Sequence, residues 1–153
     1  MRIFSFEKLI AWQNGRELAI LIFKTTKNFP KDEIFGLTSQ MRRCSISIAS
    51  NLAEGSGRSS MKDKARFSEI AYSSSLELLN QVILSHDFGY VDENQYIQIR
   101  EKITEVNMLI DFGSNAAGVS YSQTAQTSGA GTVDLADSFA LFGDTWYTTV
   151  INP

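Results

Sequence analysis

The side chains that most often carry catalysis are scarce in this sequence. His86 is its only histidine and Cys44 its only cysteine. A general base needs a partner, and the adjacent Asp87 does not qualify, because consecutive residues of a helix point about 100° apart. The three serines at 73–75 have no histidine spaced for a triad, so they are better explained as small residues that let helices approach closely. We therefore predict a surface or helix-end position for His86 and no catalytic residue.

Sites that require stricter spacing are also disfavoured. A di-metal carboxylate centre inside a helical bundle takes a histidine three residues after a glutamate on two of its helices, and this chain has one histidine. A single cysteine excludes a disulfide within the chain and a cysteine-based metal cluster. We therefore predict no metal site and no cofactor. The carboxylates that such a centre would have used are Glu17, Glu69, Glu77 and Glu101.

The stretch at 54–58, Glu-Gly-Ser-Gly-Arg, contains the small residues of a phosphate-binding loop. Such a loop follows a β-strand and ends in Gly-Lys-Ser or Gly-Lys-Thr, and neither feature is present here. Gly55 and Gly57 are therefore interpreted as the stop signal of a helix.

The remaining chemistry is positive charge. The chain as a whole has a net charge of −3, which argues against a polybasic binder, but residues 31–70 hold seven bases and five acids. Two interpretations stay open for these bases. They form either a solvated helix face with ion pairs, or a shallow phosphate-contacting patch that oligomerisation would repeat. The candidate nucleic-acid contacts are Arg42, Arg43, Arg58, Lys62, Lys64 and Arg66.

The elements that must position these side chains are helices. Apolar residues spaced by three and four predict helices at about 6–28, 33–54, 60–89 and 92–112. Short connections favour antiparallel neighbours, so the predicted fold class is all-α, an up-down-up-down four-helix bundle. Ser60 with Asp63 and Asp92 with Gln95 have the spacing of capping boxes. The predicted buried positions include Trp12, Ala19, Ile22, Phe23, Thr26, Leu37, Met41, Cys44, Ile48, Leu52, Phe67, Ile70, Ala71, Ser74, Leu78, Val82, Tyr96, Ile99, Ile103, Val106 and Ile110.

The composition changes after the bundle, which we assign to residues 1–112. Residues 113–132 have the Gly, Ser, Ala and Thr content of a linker. Residues 133–153 form an aromatic, non-helical extension in which Gly-Asp at 143–144 predicts a β-hairpin. We expect this tail to be extended and to dock against the bundle or a neighbouring subunit, and its origin as a natural extension or a fused peptide stays open. The expected docking residues are Phe139, Phe142, Trp146 and Tyr147.

No segment of the sequence suits a membrane. The longest apolar run, at 18–23, has six residues, whereas a membrane span needs about 20. The first eight residues lack the apolar core of a signal peptide. Together with the single cysteine, these features predict a soluble protein of the cytoplasm.

Ordered motifs carry a family resemblance. They are Phe-Ser-Phe-Glu-Lys-Leu-Ile-Ala-Trp at 4–12, Phe-Pro at 29–30, Glu-Ile-Phe-Gly-Leu at 33–37, Gln-Met-Arg-Arg at 40–43, Ser-Ile-Ala-Ser-Asn-Leu-Ala-Glu-Gly at 47–55 and Phe-Ser-Glu-Ile-Ala at 67–71. In this order they resemble the four-helix-bundle family of proteins encoded in intervening sequences of bacterial 23S rRNA genes. Accessory proteins of diversity-generating retroelements are similar. The resemblance covers about residues 2–112.

This resemblance implies a cytoplasmic bacterial bundle that assembles into a ring-like pentamer and associates with nucleic acid, without catalytic residues. The leading hypothesis is therefore a non-enzymatic, self-assembling bundle that binds RNA or DNA through a basic face. The alternative is a structural oligomer or scaffold whose tail binds a protein partner or a neighbouring subunit. Nucleic-acid binding should weaken steeply with salt, and an apolar contact should not.

Overall fold

A computed structural model of the protein describes residues 3–115, with side chains through residue 110. This part of the chain is helical throughout and contains no strand. Each of the four long helices packs against the next, and the fourth also packs against the first, which closes the bundle. The long helices are α1 (Ile10–Thr25), α2 (Leu37–Ser56), α3 (Met61–Asp87) and α4 (Glu93–Asn115).

Two helices begin later than predicted. Residues Ser5–Lys8 form a 3₁₀ turn, and the extended backbone of Leu9 separates this turn from α1. Residues Lys31–Ile34 form a second 3₁₀ turn, and the non-helical Gly36 then begins α2. Short 3₁₀ turns satisfy backbone groups at helix termini. Because the residues of these turns continue the apolar spacing, the helical pattern in the sequence starts before the α-helices do.

The core confirms most of the predicted buried positions. Six of the predicted positions are only partly buried, namely Trp12, Ala19, Leu37, Phe67, Ser74 and Tyr96. Phe23 and Ile70 are exposed, because each is one residue away from a fully buried neighbour and therefore points about 100° away from it. The Phe23 ring instead lies under the guanidinium group of Arg42, 4.8 Å from it. The side chains that are almost wholly buried are Leu18, Ile22, Met41, Ile48, Leu78, Val82, Val91, Ile99, Ile103 and Val106.

Both predicted helix starts are capped, in different ways. Asp92 and Gln95 form a complete capping box, in which the Gln95 N–H donates to Asp92 Oδ1 (2.8 Å) and the Asp92 N–H donates to Gln95 Oε1 (3.3 Å). At α3, Ser60 Oγ accepts from the Asp63 N–H at 3.0 Å. The Ser60 hydroxyl donates to Asp63 Oδ2, so the aspartate does not reach the backbone as a box requires.

Gly89 ends the third helix as predicted. Its φ of 76° lies in the left-handed region, which L-residues with a side chain rarely adopt. The N–H of Tyr90 then donates back to the carbonyl of Ser85 at 2.9 Å, which satisfies a group at the end of α3. The chain can therefore turn sharply into α4.

The fourth helix continues three residues past its predicted end at 112. Apart from residues 113–115, the predicted linker at 113–132 and extension at 133–153 lie outside the described residues, as do Phe139, Phe142, Trp146 and Tyr147. Among the helices that the structure describes, none combines the length and apolar character that crossing a membrane requires.

Candidate nucleic-acid interface

An open groove lies where the chain turns from α1 into α2. Pro30 ends the first helical segment, and the connection then runs along the start of α2 and leaves a cavity of about 520 Å³ beside it. The groove combines three bases, three hydroxyl groups and three apolar side chains. Its lining residues are Thr26, Lys27, Phe29, Pro30, Lys31, Ile34, Thr38, Ser39 and Arg42.

Arg42 is held in this groove by two contacts. Its Nε donates to Thr26 Oγ1 at 2.8 Å, and the Thr26 hydroxyl in turn donates to the carbonyl of Ile22 at 2.8 Å. The guanidinium group also packs on the face of Phe23. No carboxylate of the described residues lies within 4 Å of it. The orientation of Arg42 is therefore fixed while its charge stays unpaired.

Two lysines flank the groove. Lys27 and Lys31 are exposed, and neither has an ion-pair partner within the part of the chain that the structure describes. The connection also contains Asp32 and Glu33, but the Glu33 carboxylate is engaged elsewhere. Its Oε2 accepts from the Leu37 N–H at 2.9 Å and its Oε1 from the Tyr90 hydroxyl at 3.3 Å. Three bases therefore face the groove, and the two acids of the connection, Asp32 and Glu33, form no ion pair with them among the described residues.

The first turn of α2 adds polar groups to the groove. Its N-cap is Gly36, which has no side chain to bond the exposed N–H groups. Thr38 lines the groove, is 6% exposed, and its hydroxyl has no hydrogen-bond partner among the described residues. Helix N-termini favour anions, since their N–H groups and dipole present positive charge. At α2 the Glu33 carboxylate already accepts from the first N–H of the helix, so the bases, and not the helix start, favour an anionic ligand.

The six predicted contact residues do not share one surface. Arg42 lies in the groove, whereas Arg43 donates to Gln40 Oε1 on its own helix and lies 3.9 Å from a carboxylate oxygen of Glu77 on α3. Arg58 follows the end of α2, about 24 Å along the helix axis from Arg42. There it pairs with Glu54 and covers the Phe67 ring.

Lys62, Lys64 and Arg66 lie in the first two turns of α3, at the same end of the bundle as Arg58. Lys27 and Lys31, in contrast, were not among the predicted residues. They lie three residues before and one residue after Pro30. Their positions on either side of Pro30, which stops a helix, are the feature of the sequence that could have identified these two lysines.

His86 lies near the end of α3, as predicted, but its partner is Glu93. The Nε2 atom of His86 is 3.0 Å from Glu93 Oε2, and its ring stacks on Tyr96 with a centroid distance of 4.6 Å. Glu93 is the first residue of α4, so this pair joins the two helices across their connection.

The single thiol is part of the core. Cys44 is buried among the apolar side chains of the bundle. Burial, followed by the neighbouring Glu77 carboxylate, raises its pKa to about 11. A thiol reacts and binds metals as the thiolate, so Cys44 is poorly suited to either role.

Two of the four glutamates considered for a metal centre, Glu17 and Glu101, line the same groove. Glu17 lines a second groove, of about 340 Å³, between α1 and α4, together with Leu21, Gln98, Glu101, Lys102 and Glu105. Here the charges are paired, because Lys102 Nζ lies 2.7 Å from Glu17 and 3.0 Å from Glu105. The hydrogen bond from Lys102 and its charge lower the pKa of Glu17. Within the described side chains, no cluster of three potential metal ligands occurs.

The model of the 23S rRNA-intervening sequence protein family matches residues 7–111. The chain belongs to this family. The resemblance seen in the motifs is therefore confirmed, and all the residues of the α1–α2 groove lie inside the matched stretch.

One solved structure shares the fold of this family member. It is a protein of unknown function from the S23 ribosomal protein family of Bacteroides thetaiotaomicron, with a TM-score of 0.65 and 24% sequence identity. The similarity covers 69% of this chain and 98% of that protein. No curated protein sequence matches this chain.

Proposed function

We propose that this protein is a non-enzymatic helical bundle that binds nucleic acid through phosphate contacts in the α1–α2 groove. The observation that carries the proposal is the state of Arg42, which is oriented by Thr26 and Phe23 and yet has no carboxylate partner among the described residues. Its two terminal nitrogens form a planar fork, the geometry that binds a phosphate through two hydrogen bonds.

The rest of the groove supports the same ligand. Lys27 and Lys31, which have no ion-pair partner among the described residues, add positive charge, and the hydroxyl group of Ser39 adds a donor beside the start of α2. The contrast with the α1–α4 groove is informative, since Lys102 there is neutralised by two glutamates. The family is described by its connection with 23S rRNA intervening sequences, which makes RNA the first nucleic acid to test.

Arg42→Glu is expected to weaken RNA binding by at least about tenfold, because it reverses the charge at the centre of the groove. The measurement is fluorescence anisotropy with a labelled RNA, repeated over a series of salt concentrations. The slope of log K against log salt should become shallower by about one, the change expected when one phosphate contact is lost.

Arg43→Glu provides the matched control. It changes the charge equally at the next position, but this side chain faces Glu77 on α3. We expect it to retain binding within about threefold, and circular dichroism should show equal helicity for both variants. Salt-independent binding by the parent protein, or equal losses in the two variants, would contradict the proposal.

We also propose that the bundle self-associates. Ile20 is exposed on α1 and Ile46 is exposed on α2. The contact between Phe23 and Arg42 fixes how these two helices are aligned, and this alignment puts both isoleucines at about the same height along the bundle. Exposed apolar residues that adjoin one another mark protein contacts. Light scattering is expected to give a mass several times the 17.1 kDa of one chain. A monomeric mass at micromolar concentration would exclude this assembly, and with it a pentamer.

A further inference from the structure

Two phenylalanine rings are exposed to solvent at the end of the bundle that contains the groove. Phe35 is 94% exposed and Phe88 is 56% exposed. Phe35 directly follows the groove residue Ile34, and Phe88 directly follows the last residue of α3. A phenylalanine ring gains free energy by leaving water, so two exposed rings at the end of the bundle that contains the groove provide apolar surface that a partner can cover.

Ring contacts connect Phe88 to the groove. The Phe88 ring centre is 5.8 Å from that of Tyr90, which is 5.5 Å from that of Phe29, a lining residue of the groove. The Tyr90 hydroxyl donates to Glu33 in the α1–α2 connection. An aromatic row therefore runs from the exposed end of the bundle to the groove.

The charges beside these rings indicate what kind of partner covers them. Lys27, Lys31 and Arg42 have no ion-pair partner among the described residues, and all three line the groove to which the ring contacts lead. Unpaired cations beside exposed aromatic rings are typical of surfaces that bind single-stranded nucleic acid, where phosphates meet the cations and bases stack on the rings. A duplex keeps its bases stacked inside and offers these rings nothing comparable.

We infer that the groove binds single-stranded RNA or DNA in preference to duplex, with Phe35 and Phe88 as stacking platforms for unpaired bases. This inference rests on the proposed function, because the bases of the groove must hold the strand while its nucleobases reach the rings. Beyond the proposed function, the inference specifies single-stranded nucleic acid as the ligand and assigns base stacking, not phosphate binding, to Phe35 and Phe88.

The test uses the full chain and one mixed-sequence oligonucleotide of about 20 nucleotides, long enough to exceed a typical single-stranded site. Anisotropy compares this strand with the same strand annealed to its complement, at matched salt. The parent protein is expected to bind the single strand at least about tenfold more tightly. Phe35→Ala should weaken single-strand binding by about fivefold or more and leave both duplex binding and the salt slope unchanged.

Three further variants make the result specific to the ring. Phe35→Tyr should bind like the parent because it keeps an aromatic face, whereas Phe35→Leu should lose nearly as much as Phe35→Ala. Phe4→Ala is the matched control, since Phe4 is 57% exposed and lies at the start of the chain, at the opposite end of α1 from the groove. This control should bind both nucleic acids like the parent.

The outcomes separate this inference from the proposed function. If neither nucleic acid binds with salt dependence, the proposed function fails and the inference falls with it. If both bind equally and Phe35→Ala binds like the parent, the phosphate groove stands and the stacking inference is overturned. Full binding by Phe35→Leu would also overturn it. So would a change of mass in Phe35→Ala by light scattering, because the ring would then belong to a protein contact.

Discussion

Replacing Ile48 by aspartate is expected to unfold the bundle or to leave it without fixed packing. Ile48 is 0% exposed, in the middle of α2, and its side chain lies against Gly15 of α1. An unpaired carboxylate in such a place costs several kcal/mol, while the total stability of a domain is about 5–15 kcal/mol. Circular dichroism during heating is the measurement, and we expect no cooperative transition.

Ile46→Asp is the control for this result. It introduces the same carboxylate into the same helix two residues earlier, where the side chain is exposed. This variant should stay folded and melt cooperatively, whatever it does to self-association. If Ile48→Asp melted at the temperature of the parent protein, the orientation of α2 described above would be wrong.

Replacing Gly55 by valine is expected to lower the free energy of unfolding by about 1–3 kcal/mol. Gly55 is buried inside α2, and a Cβ atom placed there would lie 2.8 Å from Cβ of Phe67 on α3. The end of α2 and the start of α3 therefore approach each other too closely for a side chain. Urea unfolding monitored by circular dichroism measures the change.

Gly57→Val provides the comparison. Gly57 is the exposed C-cap of α2, and the nearest atom to an added Cβ is the Glu54 carbonyl oxygen at 3.5 Å, an ordinary contact. Its effect should stay within about 0.5 kcal/mol. If both variants unfolded at the same urea concentration, α2 and α3 could move apart at Gly55 without a loss of stability, and this prediction would be wrong.

The helices were predictable because the buried residues repeat at helical spacing. Met41, Cys44, Ile48 and Leu52 all lie in the core as that spacing predicts. The beginnings of α1 and α2 were less predictable, because 3₁₀ turns precede both and their residues continue the apolar pattern. Gly55 shows a related limit. In the sequence it resembles a helix stop, whereas its actual role is set by Phe67 on another helix.

The groove was harder to predict than the helices. Arg42 and Arg43 are identical neighbours in the sequence, and only the packing of α1 and α3 around α2 separates an unpaired arginine from one beside Glu77. Phe35 belongs to the Glu-Ile-Phe-Gly-Leu motif at 33–37 and is not among the predicted buried positions, but nothing in the sequence marks it as exposed. Its exposure follows from the 3₁₀ turn before α2, which no spacing rule anticipates.

The buried thiol of Cys44 provides a way to measure how often the core of this protein opens. Because burial raises the pKa of Cys44 to about 11, very little of the thiol is ionised at pH 8 while the fold is closed. Once the helices part, the pKa returns to the ordinary value of about 8.5 and the thiol reacts readily. The rate of alkylation by an excess of reagent therefore measures how often the core opens. With Cys44 as the only cysteine of the chain, this rate can be followed without a substitution or an added label.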